Sequence, residues 1–123
     1  MAFLTDRKRA GGQGSARAGT AHHIFMQLSG AGLALGLPVF VFVFGRALGG
    51  THEEVLATFA NPFVAILSAL VLVATMAHFR KGAQMMFEDY ARGGARHALI
   101  AATTILSHVI TATGLFALAR IAL

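Results

Sequence analysis

Residues 78–90 contain a histidine, a glycine, an aspartate and a tyrosine, and the first three are spaced so that they fall on one face of a helix. At about 100° per residue, Gly82 lies about 40° around the helix axis from His78, and Asp89 returns to within about 20°. Three turns, or about 16 Å, separate His78 from Asp89 along the axis, and Tyr90 follows Asp89 directly. The pattern predicts a histidine at one depth and an acid–phenol pair at another.

The chemistry open to His78 depends on its apolar surroundings. An ionisable side chain inside a membrane helix costs free energy unless it is paired or coordinated, which makes it a functional candidate. Neutral imidazole is a standard axial ligand of haem iron, and Gly82, one turn away, leaves room for a flat macrocycle. The alternative is a histidine that hydrogen-bonds to a neighbouring helix, and spacing alone fits both.

A second histidine, His108, falls in the next apolar run. If the chain turns back near Gly93, His78 and His108 lie equally far from the turn on two antiparallel helices. The two histidines should then lie at nearly the same depth in the membrane. One haem could therefore have both axial ligands within this chain, although interhelical hydrogen bonding is the ordinary role of polar residues there.

Three long apolar runs must position these residues: 24–44, 62–79 and 98–119. Hydrophobic residues make up 56% of the 123 residues and charged residues 12%, and each run can cross about 30 Å of hydrocarbon. We predict an all-α membrane protein with transmembrane helices at about 24–46, 62–90 and 96–120. Without cysteine the chain holds no disulfide or cysteine-ligated iron–sulfur cluster.

The distribution of basic residues predicts the orientation of the helices. Residues 1–20 form a polar segment with four basic residues, which we expect to be a mobile cytoplasmic tail, and residues 21–123 form the membrane domain. Arg92 and Arg96 lie on the same side as the tail, against Arg46 and Arg120 on the other. By the positive-inside rule the chain runs up-down-up from a cytoplasmic amino terminus, and the net charge of +5 reflects orientation rather than nucleic-acid binding.

Loop signals set the ends of the helices. Thr51 and Glu54 predict a capping box that begins a short interfacial helix. Asn61 and Pro62 predict the N-cap and first turn of the second span, and the glycines at 93–94 predict the turn before the third.

Gly32 and Gly36 have the small-xxx-small spacing that allows two membrane helices to approach closely, and Pro38 follows in the same helix. The bland alternative is that glycine and proline are common in membrane helices.

The residues His78-Phe-Arg-Lys-Gly82, followed by Glu88-Asp89-Tyr90, resemble the H-x-x-x-G-x(6)-D-Y signature of the hydrophobic membrane anchor of succinate dehydrogenase, respiratory complex II. The helix count, the expected orientation and the chain length also agree. The resemblance implies a bacterial cytoplasmic-membrane subunit that attaches a flavoprotein and an iron–sulfur subunit to the membrane.

The resemblance also implies roles for individual residues. His78 would be one axial ligand of haem b, and a companion cytochrome b anchor subunit would supply the second. Tyr90 would hydrogen-bond a ubiquinone carbonyl, with Asp89 ordering the site or passing protons. Two alternatives stay open: an independent small cytochrome b ligated by His78 and His108, and a structural membrane protein without a cofactor.

The first helix matches the family less completely. Gly19, Thr20, His22 and Ser29 fit its G-T-x-H and serine positions, but Gln27 or Leu28 stands where an arginine is common.

His22 is a candidate contact of the haem propionates or an exposed interfacial histidine. Lys81, about 60° from His78, could reach a propionate or extend to lipid phosphate, and Arg80, about 200° away, faces away from the haem line.

Overall fold

The computed structural model describes residues 5–7 and 19–123. Its helices are α1 (Gly19–Ala47), α2 (His52–Ala60), α3 (Pro62–Tyr90) and α4 (Gly93–Ala122). The described part of the chain is all-helical as predicted, and α1, α3 and α4, with 29, 29 and 30 residues, are long and apolar enough to cross a membrane. Apart from residues 5–7, 19 and 20, the predicted tail lies outside the described residues.

The three long helices differ from the expected ranges mainly at the ends of α1 and α4. α1 begins at residue 19 rather than about 24 and continues through Pro38, and α4 extends the expected 96–120 at both ends. α3 covers 62–90, the range expected from the sequence.

Local hydrogen bonds explain where the helices after α1 begin. The Thr51 N–H donates to Glu54 Oε2 over 2.8 Å and the Glu54 N–H donates to Thr51 Oγ1, which completes the predicted capping box at α2. Asn61 Oδ1 accepts from the first free amides of α3, with Pro62 in the first turn. Gly93 has a φ of 58°, a conformation that favours glycine, at the turn into α4.

α3 is the central helix, with α1 and α4 packed antiparallel on either side of it. His22 of α1 contacts Met85 and Ser29 contacts His78, so residue numbers rise on one helix as they fall on the other. Arg80 contacts His108 in the same antiparallel sense on α4. In the described part of the chain α1 and α4 do not contact each other, and α2 touches all three long helices.

Small residues allow the close approach of α1 to α3. A Cβ atom on Gly36 would lie 3.3 Å from Val71 Cγ2, tighter than most such contacts, whereas a Cβ on Gly32 would meet nothing within 4 Å. Gly36 therefore faces α3 and Gly32 does not, so only one of the two glycines serves this interface.

The buried side chains are few and small. Among the described residues only Ala65, Ser68, Val71, Ala83 and Ser107 are buried, and most large apolar side chains are exposed. Such a surface suits lipid or other membrane subunits rather than water.

Candidate functional site

His78 lies on the face of α3 that packs against α1. Its Nδ1 is 2.8 Å from Ser29 Oγ, and a Cβ on Gly30 would lie 3.6 Å from His78 Cε1. The imidazole is therefore held at its Nδ1 edge by the neighbouring helix.

The other ring nitrogen of His78 is free to bind a ligand. Nε2 has no hydrogen-bond partner within residues 19–123, and no buried side-chain nitrogen or oxygen in the described chain lacks one, so Nε2 reaches the accessible surface. A ring fixed at Nδ1 with an open Nε2 has the donor arrangement that an axial haem ligand needs. No group of three or more potential metal ligands occurs among the described residues.

Three other predicted haem contacts lie along the same interface, toward the Tyr90 end of α3. Gly82 faces α1, where its Cβ would lie 3.7 Å from Met26 Cε. His22 Nε2 is 2.7 Å from Met85 Sδ. Lys81 and His22 line one open groove of about 570 Å³. The structure thus brings His22, Lys81, Gly82 and His78 to one side of α3.

The groove places two basic side chains in a largely apolar lining. Lys81 and His22 line it together with Phe25, and the Gln84 amide nitrogen beside them donates to Glu88. Carboxylates such as haem propionates are stabilised by donors and cations of this kind. Gly82, by contrast, is not required by the packing within this chain. A Cβ atom there would make only an ordinary van der Waals contact with Met26.

Asp89 and Tyr90 lie at the carboxyl end of α3, about one turn beyond Met85, which contacts His22 of α1. Both side chains are exposed, Tyr90 at 86%, and neither has a hydrogen-bond partner among residues 19–123. The preceding turn is braced by Gln84 Nε2, which donates to Glu88 Oε1 over 2.8 Å. The acid and the phenol are thus presented together on a helix end, available to a ligand or another subunit.

His108 lies on the opposite side of α3 from the Ser29–His78 contact. Its Nε2 is 3.4 Å from Arg80 Nη1, and its Nδ1 is 2.7 Å from the Thr104 carbonyl oxygen. Arg80 and His108 also line a small cavity of about 150 Å³ between α3 and α4. Both nitrogens of His108 are engaged, and the structure does not bring His108 to His78.

The Ser29–His78 and Arg80–His108 contacts were not predicted from the sequence. Helical periodicity placed Arg80 on the face away from His78, as observed, but gave no partner for it. The sequence pointed to Ser29 only because it matches a serine position of the family pattern. Its contact with His78 depends on the register between α1 and α3, which cannot be read from the period of either helix.

Fold and site together define the class: a small multi-pass helical membrane protein with a histidine, His78, between α1 and α3 and an exposed acid–phenol pair at one helix end. The family model for the succinate dehydrogenase/fumarate reductase transmembrane subunit matches residues 4–118. The chain belongs to this family, which confirms the sequence resemblance and makes it a subunit of such a complex.

A curated relative agrees with the family over its full length. The succinate dehydrogenase hydrophobic membrane anchor subunit of Paracoccus denitrificans is 42% identical over 123 residues, which cover 100% of this chain and 95% of the relative. Proteins of the family generally bind haem b. No solved structure gives a significant match.

Proposed function

We propose that this chain is the hydrophobic membrane anchor of a succinate:ubiquinone oxidoreductase. It attaches a flavoprotein and an iron–sulfur subunit to the bacterial cytoplasmic membrane, with its amino terminus in the cytoplasm. It shares haem b with a companion anchor subunit and contributes to the ubiquinone site. The observation that carries the proposal is the single continuous helix α3, which bears an imidazole with a free Nε2 and, about 16 Å along the axis, Asp89 and Tyr90.

In the haem part of the proposal, His78 Nε2 would bind the haem iron. His22 and Lys81, which line one groove on the same side of α3, would bind the propionates. Bound haem would supply one-electron redox chemistry within the membrane. The second iron ligand would come from the companion subunit, because His108 lies on α4, on the other side of α3 from the Ser29–His78 contact, and contacts Arg80.

The quinone part of the proposal assigns the exposed pair at the end of α3. The Tyr90 hydroxyl donates a hydrogen bond to a quinone carbonyl oxygen, where negative charge develops on reduction. Asp89 exchanges protons with the quinone or with a basic group of a partner, since reduction to the quinol takes up two protons. Partner subunits would complete this site, because both side chains are exposed and neither has a hydrogen-bond partner among residues 19–123.

Purification through a tag on this chain tests the anchor and the haem ligand together. The wild-type preparation should contain flavin, non-haem iron and one low-spin haem b. His78→Leu should abolish the haem spectrum while flavin and iron remain, because only the ligand is removed. The matched control, His108→Leu, should keep the haem.

Other results would contradict the proposal. Haem without flavin or iron would favour an independent cytochrome b, and loss of haem in His108→Leu would favour ligation within the chain. A fully assembled, haem-free wild-type complex would indicate a structural subunit only.

A further inference from the structure

Ser29 contacts both its own helix backbone and His78, and together these contacts decide which nitrogen of His78 carries the proton. Ser29 Oγ lies 2.7 Å from the carbonyl oxygen of Phe25 and 3.3 Å from that of Met26, both in the preceding turn of α1, and 2.8 Å from His78 Nδ1. The carbonyl oxygens can only accept, whereas Nδ1 can donate or accept, so the backbone and His78 contacts are satisfied together only when the single hydroxyl hydrogen of Ser29 is directed to the backbone. Ser29 Oγ is then left as an acceptor toward His78.

The consequence for His78 follows from the donor inventory of a neutral imidazole. One ring nitrogen carries hydrogen and the other a lone pair. Because Ser29 Oγ accepts, Nδ1 carries the hydrogen, and Nε2 presents its lone pair at the accessible surface. These two hydrogen bonds, from His78 Nδ1–H to Ser29 Oγ and from Ser29 O–H to the Phe25 carbonyl, therefore select the tautomer that can bind iron through Nε2.

We propose that Ser29 is a positioning residue that fixes the tautomer and ring orientation of His78 and raises the basicity of its Nε2. The inference rests on the proposed role of His78 as a haem ligand. A hydrogen-bond acceptor at the far nitrogen of a ligating histidine has this effect at metal sites, and losing it typically costs about 10- to 100-fold in metal affinity.

The packing around this contact makes it specific to Ser29. Gly30 lies against His78 Cε1, so α1 approaches closely enough for a short serine side chain to reach the ring. Two other serines, Ser68 and Ser107, also donate to a carbonyl one turn earlier, over 2.7 Å, but hydrogen-bond to no histidine. They show that the bond to the helix backbone alone is a general feature, whereas the second contact is found at Ser29.

The test uses the assembled complex with Ser29→Ala, Ser29→Thr, Ser68→Ala and His78→Leu. Ser29→Ala should raise the haem reduction potential in an optical redox titration, because a less basic Nε2 stabilises ferric iron less. It should also lower haem retention about tenfold during detergent washing. Ser29→Thr keeps an oxygen that can make both contacts and should stay near wild type, and Ser68→Ala should match wild type.

The outcomes separate this inference from the proposed function. Haem retained in His78→Leu overturns the ligand assignment itself. If His78→Leu loses haem while Ser29→Ala keeps the wild-type potential in whatever haem remains, only the role of Ser29 is overturned. An equal shift in Ser68→Ala would also overturn it, since any lost serine would then act alike.

Discussion

Tyr90 is the residue whose substitution separates quinone chemistry from structure. Its side chain is 86% exposed and bonds to nothing in the described chain, so Tyr90→Phe should leave folding unchanged. Loss of one hydrogen-bond donor at a developing oxyanion typically costs about 10²- to 10³-fold in rate. We expect succinate:ubiquinone reductase activity to fall by about that factor.

The control for Tyr90→Phe is an acceptor that bypasses the quinone site. Succinate oxidation by a soluble dye should proceed at the wild-type rate, because the proposed dehydrogenase site lies on another subunit. Equal losses with dye and ubiquinone would show that the variant fails to assemble, and full activity with ubiquinone would remove Tyr90 from the proposed site.

At the residue scale, the sequence predicts depth and face within one helix but not contacts between helices. His78, Gly82 and Asp89 share a face through the helical period alone. The equal numbers of residues on the two sides of the α3–α4 turn put His108 near the depth of His78. His108 contacts Arg80, which is only about 3 Å from His78 along the axis of α3. The side of α3 that His108 contacts was not predictable, because counting residues from the turn gives the depth of His108 in the bundle but not the rotation of α4 about its own axis.

At the scale of the elements, the approach of α1 to α3 depends on Gly36. A Cβ there already lies 3.3 Å from Val71, so Gly36→Leu must separate the helices or distort side chains. Overpacking of this kind costs about 1–3 kcal/mol. We expect a lower midpoint of thermal unfolding for the detergent-solubilised chain, followed by circular dichroism.

Gly32→Leu is the matched control, since Gly32 lies one turn earlier in the same helix and its Cβ would meet nothing within 4 Å. Its unfolding midpoint should equal or exceed that of wild type, because leucine is a better helix former than glycine. Equal destabilisation by both variants would mean that Gly36 has no special place in the α1–α3 interface.

Which of the two glycines packs could not be predicted from the sequence, although the helices themselves could. Long apolar runs, the capping box at Thr51 and the N-cap at Asn61 are local signals, and α2 and α3 begin where these signals place them. Gly32 and Gly36 differ by only about 40° around α1, so their roles depend on its rotation against α3.

At the scale of the whole molecule, orientation determines which compartment supplies protons to the quinone. The antiparallel order puts the start of α1 and the α3–α4 turn at one end of the bundle, with Asp89 and Tyr90 beside that turn. In the sequence, four basic residues precede α1, and Arg92 and Arg96 lie at the α3–α4 turn, whereas Arg46 and Arg120 lie near the other end. The positive-inside rule therefore predicts a cytoplasmic quinone site.

The absence of cysteine makes this orientation directly measurable. His52→Cys and Gly94→Cys place single exposed thiols at opposite ends of the bundle, and a Cβ at Gly94 meets nothing within 4 Å. A membrane-impermeant maleimide should label His52→Cys once the outer envelope is opened, and Gly94→Cys only after the inner membrane is permeabilised. The reverse order would place Asp89 and Tyr90 outside the cytoplasm, away from the compartment in which the proposed dehydrogenase subunits would dock.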